Sequence, residues 1–152
     1  MNGKFVSCGA ILLAAAVSGL AQKAPTPSAA PPPARPAARE NDPRLIERGR
    51  YLAHDVAMCV QCHSPRDDSG RIIPGQEFRG AANPFAAPFP GVPWAIRSVN
   101  IRGLGGLPEE AVIRLLTTGV GRRGLPPDPP MPPFRMSRAD AEAIVAYLRS
   151  LD

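Results

Sequence analysis

The sequence predicts a small all-α domain of three main helices and long loops, and three observations carry that expectation. Apolar residues recur at helical spacing in three separate stretches, each opened by recognisable start signals. No stretch alternates apolar and polar residues well enough to form a strand. The remaining segments, from Pro65 to Leu107 and from Gly121 to Pro133, are dense in glycine and proline, which punctuate rather than propagate regular structure.

Residues 1–21 read as a secretory signal, with Lys4 before the apolar run Ala10–Val17 and small residues near Ala21 for cleavage. That run is shorter than the roughly 20 residues a membrane-spanning helix needs. Cys8 precedes most of it, so lipidation is not expected and cleavage removes Cys8 with the signal. Residues 22–42 are Pro/Ala-rich, with six prolines between Ala24 and Arg39, and predict an extended semi-rigid spacer. Residues 43–152 then form the one domain. Asp42 before Pro43 is an N-cap followed by a proline at the first helical position, and Leu45, Gly49, Leu52 and Val56 carry a first helix to about Val56. Pro108, Glu109 and Glu110 open a short middle helix that carries Val112, Leu115 and Leu116 and stops at Gly119. Ser137 and Asp140 resemble a capping box with Asp in place of Glu, and Ala141, Ile144, Val145 and Leu148 form the apolar stripe of a closing helix.

The formal charge of +5 and the pI near 9.7 invite a nucleic-acid reading. Residues 43–152, however, hold 14 Arg and no Lys against 11 acidic residues, with no basic block and no interleaved aromatics, so a nucleic-acid partner is not expected. Aromatic residues make up only 5% of the chain. Loops this long with so little core material are expected to wrap something.

What they wrap is indicated by Cys59-Val60-Gln61-Cys62-His63, the C-x-x-C-H spacing of covalent c-type haem attachment. Two thiols three positions apart on a helical turn reach the two vinyl-derived carbons along one porphyrin edge as thioethers, and the adjacent imidazole of His63 meets the iron from the proximal side. A thioredoxin-like dithiol, half of a zinc site and a plain disulfide are the other readings of such a pair. The first lacks a βαβ pattern, the second lacks further ligands, and the third leaves His63 unexplained.

A sixth iron ligand is expected from methionine, and Met131 in Pro129-Pro130-Met131-Pro132-Pro133 is the favoured residue, because the prolines make a stiff strap for its thioether. Met58 abuts Cys59 on the proximal side and is expected in core or on the surface. Met136, just before the Ser137 cap, is expected to act as a hydrophobic staple. His54 is expected at a solvated helix position.

With the C-x-x-C-H, the Pro-flanked Met131 and the closing Ala143–Leu151 in hand, the chain resembles a class I c-type cytochrome. Arg48–Ala53, Cys62–Asp67, Pro93-Trp94, Asn100-Ile101, Thr118-Gly119 and Pro130–Pro132 are similar to haem domains of bacterial cytochrome subunits of periplasmic dehydrogenases. The resemblance implies a small cytochrome c fold around one covalent haem. Its first and last helices would cross near a right angle, with Gly49 and Leu52 against Tyr147 and Leu148. After Asn100 this chain has Ile101-Arg102-Gly103-Leu104, where those domains often carry Leu-Thr-Pro-Asp.

The expectation is therefore a single-haem electron carrier, not an enzyme, that serves a periplasmic or respiratory chain. Cys59 and Cys62 hold the haem, and His63 and Met131 are the axial ligands. Its partners would be redox proteins such as a dehydrogenase, oxidase or reductase, and it would touch a membrane only if the signal segment is retained. The alternatives are a dehydrogenase subunit and a ligand-binding haem sensor or enzyme. Gly103–Gly106 is expected to be a flexible connector, Arg122-Arg123 a solvated turn, and Trp94 either a core residue or a neighbour of the haem propionates.

Overall fold

A computed structural model describes residues 41–151; the expected signal, 1–21, and all but the last two residues of the expected spacer, 22–42, lie outside them. Helix α1 spans Pro43–Tyr51 and begins as the sequence implies, with Asp42 Oδ1 accepting from the Arg44 amide at 2.9 Å and Pro43 in the first turn. At Leu52 the helix widens into a π-helical segment, Leu52–Val56, closed by Ala57 N–H donating to Leu52 O at 2.8 Å. The predicted helix to Val56 is thus continuous but changes pitch. Helix α2, Cys59–His63, is only five residues long, α3 spans Glu109–Thr118 and α4 spans Arg138–Arg149. The described residues contain no strand, only two isolated bridges, Arg66–Ile72 and Ala82–Arg97. The fold is all-α, with the short α2 added to the three main helices.

The core lies where α1 crosses α4. A Cβ on Gly49 would fall on the carbonyl oxygen of Ala143 and within 2.7 Å of Tyr147 Cβ, so only glycine lets the backbones approach this closely. Every residue of α4 from Ala143 to Leu148 is buried, because α1 covers one side of it and α3 another. Ser137 Oγ accepts from the Asp140 amide at 3.1 Å, and its hydroxyl donates to Asp140 Oδ2 at 3.0 Å. Asp140 Oδ1 takes the Arg48 guanidinium at 2.9 Å, so the residue that starts α4 also ties it to α1. Both partners are solvent-accessible, and the pair contributes on the order of 0.5 kcal/mol.

Two expectations are corrected here. His54 is half-buried rather than solvated: its Nε2 pairs with the Tyr147 hydroxyl at 2.7 Å, and its ring meets Phe78 edge-on with centroids 5.2 Å apart. Burial lowers its pKa, so it stays neutral inside the α1–α4 crossing. Gly103–Gly106 is not a flexible connector. Gly103, Leu104 and Gly105 all take left-handed backbone, with φ of 56°, 61° and 56°, within a tight turn. The turn is held at its base by the Ile101 and Arg102 amides, which donate to Phe78 O at 2.8 and 3.1 Å. The two glycines carry that geometry without strain, and the turn drives Leu104 into the core.

Candidate functional site

A five-residue helix cannot hold itself, because its first turn costs more order than its few hydrogen bonds return. Three residues of the 64–107 loop region hold α2 by its last carbonyls. Arg66 Nη2 donates to Gln61 O at 3.0 Å, Ser98 Oγ to Cys62 O at 2.6 Å, and the Gly80 amide to His63 O at 2.7 Å. Gly80 has φ +78°, and a Cβ there would lie 2.7 Å from the Asn100 amide nitrogen, so this approach too requires glycine.

The same loop orients the imidazole. His63 is buried, and its Nδ1 lies 2.8 Å from Val99 O. A carbonyl oxygen only accepts, so Nδ1 carries the proton and the lone pair of the neutral ring is on Nε2. Burial holds the His63 pKa below its ordinary value, which keeps that lone pair available.

Cys59, Cys62 and His63 line one cavity of about 400 Å³, a volume in the range of small-molecule and cofactor sites. Its walls come from four further regions. The 83–107 loop supplies Val99, Ile101 and Leu104, α3 supplies Val112 and Leu116, the proline strap supplies Pro130 and Met131, and α4 supplies Ile144 and Leu148. The strap is anchored by the Ala95 amide donating to Pro129 O at 2.7 Å. The walls are predominantly apolar, and Arg97 and Asp128 are the charged side chains among the lining residues.

The structure therefore brings Met131 to the cavity that Cys59, Cys62 and His63 line. Met136 is not part of the wall. It packs half-buried against the core, and its amide donates to Leu116 O at 3.0 Å. Met58, in left-handed backbone at φ 51°, is exposed and borders the cavity from the surface. Trp94 is neither a core residue nor part of the cavity wall. It is half-buried, and its Nε1–H donates to Phe85 O at 2.9 Å within its own loop. Arg122 and Arg123 are exposed, as expected of a solvated turn.

The two cysteines are free thiols, and their surroundings oppose a redox-active dithiol. Burial pushes Cys59 up to about 11 and raises Cys62 as well, although the nearby Arg66 charge offsets part of the latter. A dithiol built for exchange holds one thiol low. Thiols kept protonated in an apolar wall beside an imidazole with a free lone pair suit a group that both thiols join covalently.

A family model for cytochrome c matches residues 46–152. The chain belongs to the cytochrome c family. No curated protein matches it. Membership brings covalently bound haem c as cofactor and electron transfer as the general activity of the family. The residues present fit such a group: two thiols and a histidine in attachment spacing, a methionine thioether, and an apolar wall. Sequence reasoning missed Val99, Ser98, Gly80 and Arg66, which hold the attachment helix of this cytochrome. All four act through main-chain groups or on them, and a carbonyl acceptor leaves no mark on residue identity. Only the glycine at Gly80, four residues before Pro84 in a loop-rich stretch, offered a signal of close approach.

Proposed function

We propose that this cytochrome c carries one electron at a time on a single haem in the periplasm. Cys59 and Cys62 would form the thioethers to the haem, and His63 and Met131 would ligate its iron. The observation that carries the reading is that one apolar cavity is lined by both thiols, by an imidazole with its lone pair on Nε2, and by the thioether of the proline strap. Bound haem supplies a reversible one-electron iron couple.

The chain's own residues set the conditions for that couple. Val99 O fixes the His63 ring and makes it a better donor, as hydrogen-bonded ligand imidazoles are. The Ala95 amide anchors the strap that carries Met131, and the apolar walls would limit water around a bound haem. Little rearrangement then accompanies transfer. Export rests on the signal-like 1–21, and among the described residues no helix is long and apolar enough to cross a membrane. Donor and acceptor would be periplasmic redox proteins. A dehydrogenase stands first, because the quoted motifs are similar to those of dehydrogenase cytochrome subunits.

The test is periplasmic expression with haem-attachment machinery. The expected product is red, has a mass that includes one haem, and keeps its colour through acid-acetone extraction. When ferric it shows the weak near-infrared sulfur-to-iron band, and when ferrous it binds carbon monoxide poorly. A colourless protein with a Cys59–Cys62 disulfide overturns the reading. A red protein that lacks the band and binds carbon monoxide readily is a sensor or enzyme instead.

A further inference from the structure

One pair of titratable side chains away from the cavity has no part in holding a cofactor. The Tyr147 hydroxyl and His54 Nε2 meet at 2.7 Å inside the α1–α4 crossing, and the Phe78 ring lies edge-on to both, with centroids 5.2 Å and 5.8 Å away. Tyr147 and Phe78 are buried. Neither Tyr147 nor His54 lines the haem cavity. Apolar side chains would pack such a crossing without a polar pair to satisfy.

The hydrogen bond between them has a direction. Among the described residues the Tyr147 hydroxyl has no acceptor but His54 Nε2, so the phenol donates and the neutral imidazole keeps its own proton on Nδ1. Burial, with the Arg50 charge nearby, lowers the His54 pKa and keeps Nε2 unprotonated. His54 also lines a second pocket of about 290 Å³ with Asp55 and Glu77, whose charges favour an imidazolium. Arg50 and Glu47 on α1 and Arg102 beyond Phe78 are the other charged groups that act on the pair. The ring is thus a base that is empty at rest and shares a pocket with two carboxylates when it takes a proton.

Tyr147 also adjoins the cofactor cavity. Ile144 and Leu148, three residues before it and one after it on α4, line that cavity. On its other side, beyond the Phe78 ring, the Phe78 amide donates to Ser64 Oγ at 3.1 Å, and Ser64 follows His63 in the chain.

We propose that Tyr147 and His54 form a second redox site, at which the phenol gives one electron to a strong one-electron oxidant and its proton to His54 Nε2. Loss of an electron makes a phenol a very strong acid, so a buried tyrosine is readily oxidised only where a base already receives its proton. The O–H bond breaks and an N–H bond forms on Nε2. The products are a neutral tyrosyl radical, an imidazolium and the oxidant reduced by one electron, and return of the electron sends the proton back. That the oxidant acts from the cavity rests on the haem reading above; the chemistry of the pair does not.

The test is flash oxidation of the ferric holoprotein carrying Tyr51→Phe, with photogenerated tris(bipyridine)ruthenium(III) as oxidant. Tyr51 is the only other tyrosine and is exposed, so a tyrosyl signal then comes from Tyr147. A neutral tyrosyl radical should appear in transient absorption and in freeze-quenched EPR spectra, with a solvent deuterium isotope effect of about two or more on its formation. Adding His54→Gln, which keeps an acceptor but removes the base, should slow formation at least about tenfold and erase the isotope effect. Acid should act in the same direction: the rate holds while His54 is neutral and falls as pH drops through its lowered pKa, below about 6.5, and this fall should be absent with His54→Gln. The proposal is overturned by a radical on Trp94 instead of Tyr147, by no radical at all, by a rate unchanged in His54→Gln, or by the lack of an isotope effect. The isotope effect is read with His54 in place, so it does not depend on how well the His54→Gln protein folds. Failure of the haem reading shows separately as a colourless product, on which the same flash still reads the pair.

Discussion

The helical side of the molecule and its loop side are held together by different means. On the helical side, α1 and α4 meet through Gly49, bury an unbroken run from Ala143 to Leu148, and fill the space between them with protein atoms. On the loop side, residues 64–107 and 119–136 enclose a 400 Å³ apolar cavity and contact one another through single hydrogen bonds such as Ala95 to Pro129. The first region is stabilised by what the chain packs against itself. The second is walled by apolar side chains, and its stability would depend on the group they hold. A domain of about 110 residues with so few aromatics can stay folded in this way because the cofactor replaces the missing core.

The largest expected effect removes that group. Cys59→Ala with Cys62→Ala should give a chain whose mass lacks the haem and whose Gly80 and Ala95 amides exchange with solvent at unfolded rates. Protected amides at those positions in the haemless chain would mean that the loops close on themselves. Gly49→Ala strikes the other side. Alanine favours a helix by about 1 kcal/mol over glycine, but its Cβ meets the Ala143 carbonyl, so a net loss on the order of 3 kcal/mol is expected in denaturant unfolding of the holoprotein. An unchanged midpoint would show that the helices can separate at little cost.

Met131→Ala sharpens the comparison within the loop side. It should abolish the near-infrared band and open the iron to carbon monoxide, whereas Met136→Ala should keep the band and cost about 1 kcal/mol of packing. The reverse pattern would move the sixth ligand to Met136. His54→Gln tests the crossing by pH. Burial and Arg50 lower the His54 pKa, while Asp55 and Glu77 act against them. The unfolded chain therefore takes up the proton first as pH falls. Stability contributed by neutral His54 is complete above the unfolded value of about 6.5 and is lost as pH drops from there through the folded value. The wild type should lose stability over that window relative to His54→Gln, and parallel unfolding midpoints would refute the assignment. The smallest effect is expected from Arg48→Gln, under about 1 kcal/mol and diminished by salt, since the Asp140 pair is exposed.

The helical side was legible because its signals are local. The Asp42-Pro43 start, the Ser137–Asp140 cap, the Gly119 stop and the apolar spacing each act within a few residues, and the Gly49–Tyr147 contact followed from family resemblance. The attachment motif was legible for the same reason, since Cys59, Cys62 and His63 lie within five residues. What escaped depends on distant main-chain partners. Val99 O receives a hydrogen bond from a side chain 36 residues earlier. His54 was misjudged because its partner, Tyr147, lies 93 residues away. The left-handed turn at Gly103–Gly106 was misjudged because glycines permit such backbone without requiring it, and the requirement comes from Phe78 O below it.

The clasp that closes the 84–94 loop bears on how the molecule could be re-engineered. Asn83 joins Ala95 and Ile96 across the neck, so the tip from Ala86 to Pro93 hangs beyond the last hydrogen bonds that connect it to the cavity. Foreign sequence grafted into that tip would alter what the protein meets while leaving the cofactor wall as it is, whereas an added residue between Ser64 and Gly80 would shift the Arg66 guanidinium or the Gly80 amide, which grip the attachment helix. Recognition and haem binding are in this sense separable modules, with the border between them at Asn83.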